Sequence, residues 1–158
     1  MKKVALILST ILLSVVAFGA SDEHKMPVTR DLKALKWGKG SPRLPAGVEM
    51  VVMAGNPAET GFTSIRAKFP PGYKIPPHFH PTDEHVTILS GSLWFGMGDK
   101  IDLKTAQQVN AGGYFVAPKD MHHYAMSKTG AVIQIDLMGP FQITYVNPSD
   151  DPEKKAAK

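Results

Sequence analysis

The 158-residue sequence contains no cysteine. That excludes disulfides, thiolate metal ligands, a thiol nucleophile and a lipid anchor carried on cysteine. No serine sits in a nucleophile elbow, and no glycine-rich loop can cradle a phosphate: Gly96-Met97-Gly98 falls at a strand turn with no helix after it. No carboxylates are set out as a glycosidase pair. A clustered basic stripe of the kind that grips nucleic acid is also missing. The formal net charge of +4 shrinks if Lys2 and Lys3 leave with an N-terminal leader, and Lys154, Lys155 and Lys158 read as a solvated tail offset by Asp150, Asp151 and Glu153.

Long apolar runs are scarce too. The longest, Val4 to Phe18, is broken by Ser9, Thr10 and Ser14, and it is short for a spanning helix, which needs about 20 apolar residues. Lys2 and Lys3 precede it, and Ala17-Phe18-Gly19 follows with small residues where a signal peptidase cuts. Residues 1–19 therefore read as a bacterial secretory signal peptide, with an uncleaved membrane anchor as the competing reading. The mature protein is expected in the periplasm or outside the cell, off the membrane once the leader is removed.

What is present suits one domain of many short strands. The length matches a single domain with a real core. At 43% hydrophobic and 20% charged residues the chain is globular rather than disordered. Glycine and proline are spread throughout, which favours strands and turns over long helices. The organisation predicted is a signal peptide over 1–19, an N-terminal arm over 20–47, a barrel over 48–146 and a tail over 147–158. The arm is expected to be irregular, with one helical turn over Asp31 to Trp37.

From residue 48 the predicted strands are Glu49 to Ala54, Thr63 to Phe69, His85 to Leu89, Leu93 to Met97, Tyr114 to Ala117, His123 to Met126, Ala131 to Leu137 and Gln142 to Val146. Ile65, Ala67 and Phe69 alternate with Ser64, Arg66 and Lys68, the period-two pattern of a half-buried strand. Ser90-Gly91-Ser92 predicts a hairpin between its flanking strands. Strands this short, at this spacing, suggest a sandwich or barrel.

Five of the six histidines fall in two short segments. In extended backbone His78 and His80 point to one face and Phe79 to the other. A turn at Pro81-Thr82-Asp83 returns Glu84 beside them, and a carboxylate next to two imidazoles suits a first-row transition metal. The segment Gly112 to Tyr124 can supply a third imidazole from His122 or His123, only one of which can face inward. His85 is expected to face away from Glu84, and His24 to lie in the exported N-terminus. Gln134 and Asp136 alternate with Ile133, Ile135 and Leu137, so they either line a pocket or face water. Tyr124 and Trp94 are likewise either pocket or packing residues, and only one of Tyr114 and Phe115 can face in. Met97, Met121, Met126 and Met138 are not at ligand spacing and read as packing.

These segments resemble the two motifs of the cupin superfamily. The first, G-x5-H-x-H-x3-E-x6-G, is matched at Gly72, His78, His80, Glu84 and Gly91. The second, G-x5-P-x-G-x2-H-x3-N, is matched at Gly112, Pro118 and His123, with Asp120 where the family has glycine and Ser127 where it has asparagine. The resemblance covers roughly Val48 to Val146 and is similar to small exported bacterial cupins. It implies an all-β fold, a single jelly-roll barrel, with a metal in its mouth held by His78, His80, Glu84 and His123. Four protein ligands would leave open positions on a divalent transition metal, iron or manganese first, with zinc, nickel and copper open.

The expected function is a small-molecule oxidoreductase or dioxygenase. The alternative is a non-catalytic periplasmic protein that binds a metal or small molecule. Isomerase or lyase chemistry is a third class, with no additional acid–base pair arguing for it. A homodimer is implied by resemblance alone.

Overall fold

The computed structural model describes residues 34–156. The predicted signal peptide, His24 and residues 31–33 of the predicted helical turn lie outside them, and Leu35 to Trp37 are not helical. Ten strands follow in chain order: Gly38–Lys39 (β1), Glu49–Ala54 (β2), Gly61–Phe69 (β3), Lys74–Phe79 (β4), Glu84–Met97 (β5), Gln107–Asn110 (β6), Tyr114–Ala117 (β7), His123–Met126 (β8), Ala131–Gly139 (β9) and Thr144–Tyr145 (β10). A 3-10 turn at Pro148–Asp150 and a single helical turn at Pro152–Ala156 (α1) end the described chain. The fold is all-β, as the alternation of apolar residues predicts.

The strands run β1-β2-β3-β9-β5-β8-β4-β10, all antiparallel, with β6 and β7 also on β5. The sheet curls so that one face becomes an interior. Ala67, Phe69, Val86, Ile88, Ile133 and Ile135 meet there, each nearly or fully buried. Burial of side chains of this size stabilises the fold by about 2 kcal/mol each.

The predicted hairpin at Ser90-Gly91-Ser92 does not form. The chain continues as one 14-residue strand, β5. Its first half pairs with β7 and β9, and its second half with β6 and β8. The register shifts between Ile88 and Ser90, and Gly91 takes a φ of +73°. A side chain on Gly91 would meet the Gly130 carbonyl at 2.2 Å. Gly91 thus marks a barrel corner, where a strand bends from one side of the sheet to the other without reversing. Three strands escaped the sequence reading altogether, the two-residue β1, β4 with its two prolines and the short β6.

The two ends of this sheet do not pair with each other, which leaves a seam. Residues 40–47 cross it as a strap. On one side the strap joins β2, where the Gly40 amide donates to the Val48 carbonyl at 3.0 Å. On the other side Tyr145 Oη donates to the Arg43 carbonyl at 2.8 Å and Tyr73 Oη to the Pro45 carbonyl at 2.7 Å. Between these points Leu44 turns inward and is buried.

Candidate metal centre

Two turns bring the motif residues together. His78 lies near the end of β4, His80 just beyond it, and Glu84 opens β5; His123 opens β8 and stands opposite His78 in register. The turn before β5 and the turn before β8 are laced by backbone donors. The Asp120 amide donates to the His80 carbonyl at 2.8 Å, and the Lys119 amide to the Asp83 carboxylate at 2.7 Å. Asp120 takes a φ of +59°, the left-handed conformation that the family glycine would take freely and that aspartate tolerates better than most residues.

All three imidazoles are oriented by main-chain carbonyls. His78 Nδ1 lies 2.7 Å from the Pro76 carbonyl, His80 Nδ1 2.6 Å from that of Gln142, and His123 Nδ1 2.9 Å from that of Met121. A carbonyl can only accept, so Nδ1 carries the proton in each ring and Nε2 presents a lone pair. Such second contacts fix the tautomer of metal-binding histidines. The Nε2 atoms of His80 and His123 are buried with no hydrogen-bond partner. One nitrogen from each of the three rings falls within 4.8 Å of the others, so together they can hold one metal ion.

Glu84 stands beside this group. Its carboxylate is 3.7 Å from His80 Nε2, too far for a hydrogen bond. Two electron-pair donors facing each other in a buried site call for a cation or a proton between them. Burial raises the Glu84 carboxyl above the usual carboxylate range, against the pull of His80. Burial holds His78 well below the usual imidazole range, with His123 and His80 adding to the effect. His123 is pushed down to about 4, again chiefly by burial. His78 and His123 are thus neutral near pH 7, as metal ligands must be. The donor set fits a divalent metal.

The other candidates lie elsewhere. His122 faces outward, bonded to Asp99 at 2.6 Å and stacked on Phe79. His85 is on the outer face against the Tyr114 hydroxyl. Gln134 and Asp136 do not line the pocket. Ile133 and Ile135 do, while Gln134 accepts from Arg66 Nε at 3.1 Å and donates to Asp136 on the outer face. Tyr124 is fully buried but turned away from the metal group, its hydroxyl donating to the Asp102 carbonyl at 2.7 Å. Trp94 carries Lys128 over its ring. Of the four methionines read as packing, only Met126 is buried; Met97, Met121 and Met138 are exposed.

Of the Tyr114–Phe115 pair one was expected to face in, while Phe95, Phe141 and Leu44 were not anticipated as pocket residues. Phe115, rather than Tyr114, faces in and stacks on Phe95 with ring centroids 4.1 Å apart. Phe141 lies 5.7 Å from the His80 ring, and Leu44 lines the same pocket from the strap. Alternation along β7 offered two faces without saying which was inner. Nothing local marks Phe141 or Leu44, which reach the site only through the closure of the barrel.

Residues 25–140 match the family described as the ChrR cupin-like domain. A germin-like protein of rice (Oryza sativa subsp. japonica) is 34% identical over 80 residues, which cover 50% of this chain and 36% of the rice protein. Among solved structures, a candidate acetylacetone dioxygenase of Methylibium petroleiphilum PM1 superposes with a TM-score of 0.60 at 15% identity, covering 93% of this chain and 90% of that one. An oxalate oxidase bound to the substrate analogue glycolate superposes at 0.52 and 23% identity, covering 81% and 66%. At these identities the two structures speak for the fold.

Proposed function

The chain belongs to the ChrR cupin-like domain family, and from that premise we propose that it is a metal-dependent oxidoreductase of the dioxygenase kind, exported to the periplasm and acting on a small organic molecule. His78, His80 and His123 hold the metal, with Glu84 as the fourth ligand. The observation that carries this reading is the pair of buried, partnerless Nε2 atoms on His80 and His123, each turned inward because its Nδ1 is bonded to a carbonyl. Nitrogen and carboxylate donors without sulfur accommodate iron(II) or manganese(II), and equally zinc, nickel or copper. A divalent ion there supplies Lewis acidity and coordination positions for substrate and dioxygen. The chain's own part is to fix the imidazole tautomers, to hold a carboxylate at Glu84 and to keep bulk water out with Phe95, Phe115 and Phe141. The enzyme names among the structural neighbours agree with this chemistry.

One observation favours a second reading, binding without turnover. The cavity beside the histidines measures only about 30 Å³, room for about two or three waters. A metal held with so little free space suits a sensor or carrier.

The first experiment is elemental analysis and intact mass of the protein taken from a periplasmic extract, without chelator or affinity tag, beside a His78→Ala/His123→Ala variant. The expected result is a chain beginning at Ala20 with close to one iron or manganese, lost in the variant. A mature protein without transition metal, and not stabilised by added metal, would refute the reading. Metal-dependent oxygen uptake with small organic acids or phenols then separates the enzyme from the carrier.

A further inference from the structure

The wall around the three histidines is apolar almost everywhere. Ala67, Phe69, Val86, Leu93, Ile133 and Ile135 form much of it, and among the described residues the lining contains no Lys, Arg, Asn, Gln, Ser or Thr. The only polar side chains in it are the three histidines and Glu84. A ligand in this pocket therefore has one place to put a polar head, against the metal group. Any second charged group would be buried without a donor or a counter-ion, which is strongly unfavourable.

Size is limited as well. The cavity has room for about two or three waters. Most of the boundary is sheet, held by ladders of hydrogen bonds. Leu44 is different. It sits on the strap across the barrel seam, held to β10 by Tyr145 Oη and near β4 by Tyr73 Oη. Its side chain is buried and belongs to the same cavity as the histidines.

Resting on the metal reading above, we propose that the site selects a small molecule with a single metal-binding head and an apolar remainder, and that Leu44 is the residue that sets the size of that remainder. Shortening Leu44 opens space in the pocket that holds the metal group without touching a ligand. Dicarboxylates gain nothing from that space, because the wall around it still offers no partner.

The test uses the full mature protein loaded with cobalt(II), whose visible absorption reports a change in coordination. Acetate, isobutyrate and malonate are titrated into wild type and Leu44→Ala. Isobutyrate and malonate are of similar size, so they differ mainly in the second carboxylate. Wild type is expected to bind isobutyrate at least tenfold more weakly than acetate. In Leu44→Ala isobutyrate improves at least tenfold, and malonate stays weak in both. Isobutyrate binding wild type as well as acetate does, or malonate gaining as much as isobutyrate, would overturn the proposal. So would a folded Leu44→Ala protein with unchanged isobutyrate affinity. If Leu44→Ala does not fold, Leu44→Val carries the same comparison with a smaller gain. If no cobalt is retained, the metal reading has failed, and the size limit is read separately in metal-free protein. There, isobutanol should raise the melting temperature of the Leu44 variant more than that of wild type, and equal shifts would overturn it.

Discussion

Asp120 shows how far a single residue can depart from a family pattern. Its φ of +59° costs an ordinary L-residue about 1–2 kcal/mol. The short polar side chain of aspartate lowers that cost, and the turn keeps its amide bond to the His80 carbonyl. Asp120→Val should therefore lose about 1–2 kcal/mol of stability, since a β-branched side chain fits this conformation poorly. Asp120→Gly should be neutral or slightly stabilising. Urea unfolding of the three proteins checks the order, and a valine variant as stable as wild type would contradict it. Ser127 tells a similar story. It stands where the family has asparagine, yet its hydroxyl donates to the Ser92 carbonyl at 2.8 Å from a fully buried position. A smaller side chain fills the structural role at this site.

At the scale of elements, the strap over residues 40–47 is the part of the barrel with the least sheet holding it. Its attachments on the seam side are two tyrosine hydroxyls and the half-exposed Arg43–Glu153 ion pair at 3.2 Å. An exposed pair of this kind contributes little. Each buried tyrosine hydrogen bond is worth about 1 kcal/mol net. Tyr73→Phe and Tyr145→Phe should thus accelerate amide exchange in residues 41–47 about fivefold each while leaving the β3, β5 and β9 amides protected. Exchange that rises across the whole sheet would mean that the tyrosines hold the barrel itself rather than the strap.

For the whole molecule, the buried titratable groups set how stability follows pH. His78 and His123 have folded values below the unfolded imidazole value. Below about pH 6.5 the unfolded chain takes up protons that the folded chain refuses. Stability from these groups is complete above that pH and drains away as pH falls toward the folded value of about 4 for His123. For His123 alone the loss is about 3 kcal/mol. Glu84 acts in the opposite sense. Its folded value is raised, so it favours the folded state as pH falls through that value toward the unfolded one. The metal-free protein should therefore lose melting temperature from pH 6.5 to 4, and Glu84→Gln should steepen the loss. A bound metal excludes the same protons, so the loaded protein should keep its metal at pH 5.5 and release it as pH approaches 4. Melting curves against pH, with and without metal, check both statements; a flat profile for the metal-free protein would count against neutral, buried histidines.

Much of this was legible in the sequence because its signals are local. Alternation in Thr63 to Phe69 assigns the inner face of β3. Period-two backbone places His78 and His80 on one face, and the resemblance to the cupin motif points to His123 rather than His122 as the third imidazole, the group that the structure brings together. Other features depended on neighbours distant in sequence. Whether Ser90-Gly91-Ser92 reverses the chain or bends it is decided by what lies across it, the Gly130 carbonyl on one side and two different sets of partner strands along its length. Gln134 and Asp136 could have faced either way until the curl of the sheet assigned the interior to Ile133 and Ile135. Leu44 and Phe141 become pocket residues only when the barrel closes. A ligand set can be written in a few adjacent residues, but the wall that limits what reaches it is assembled from the whole chain.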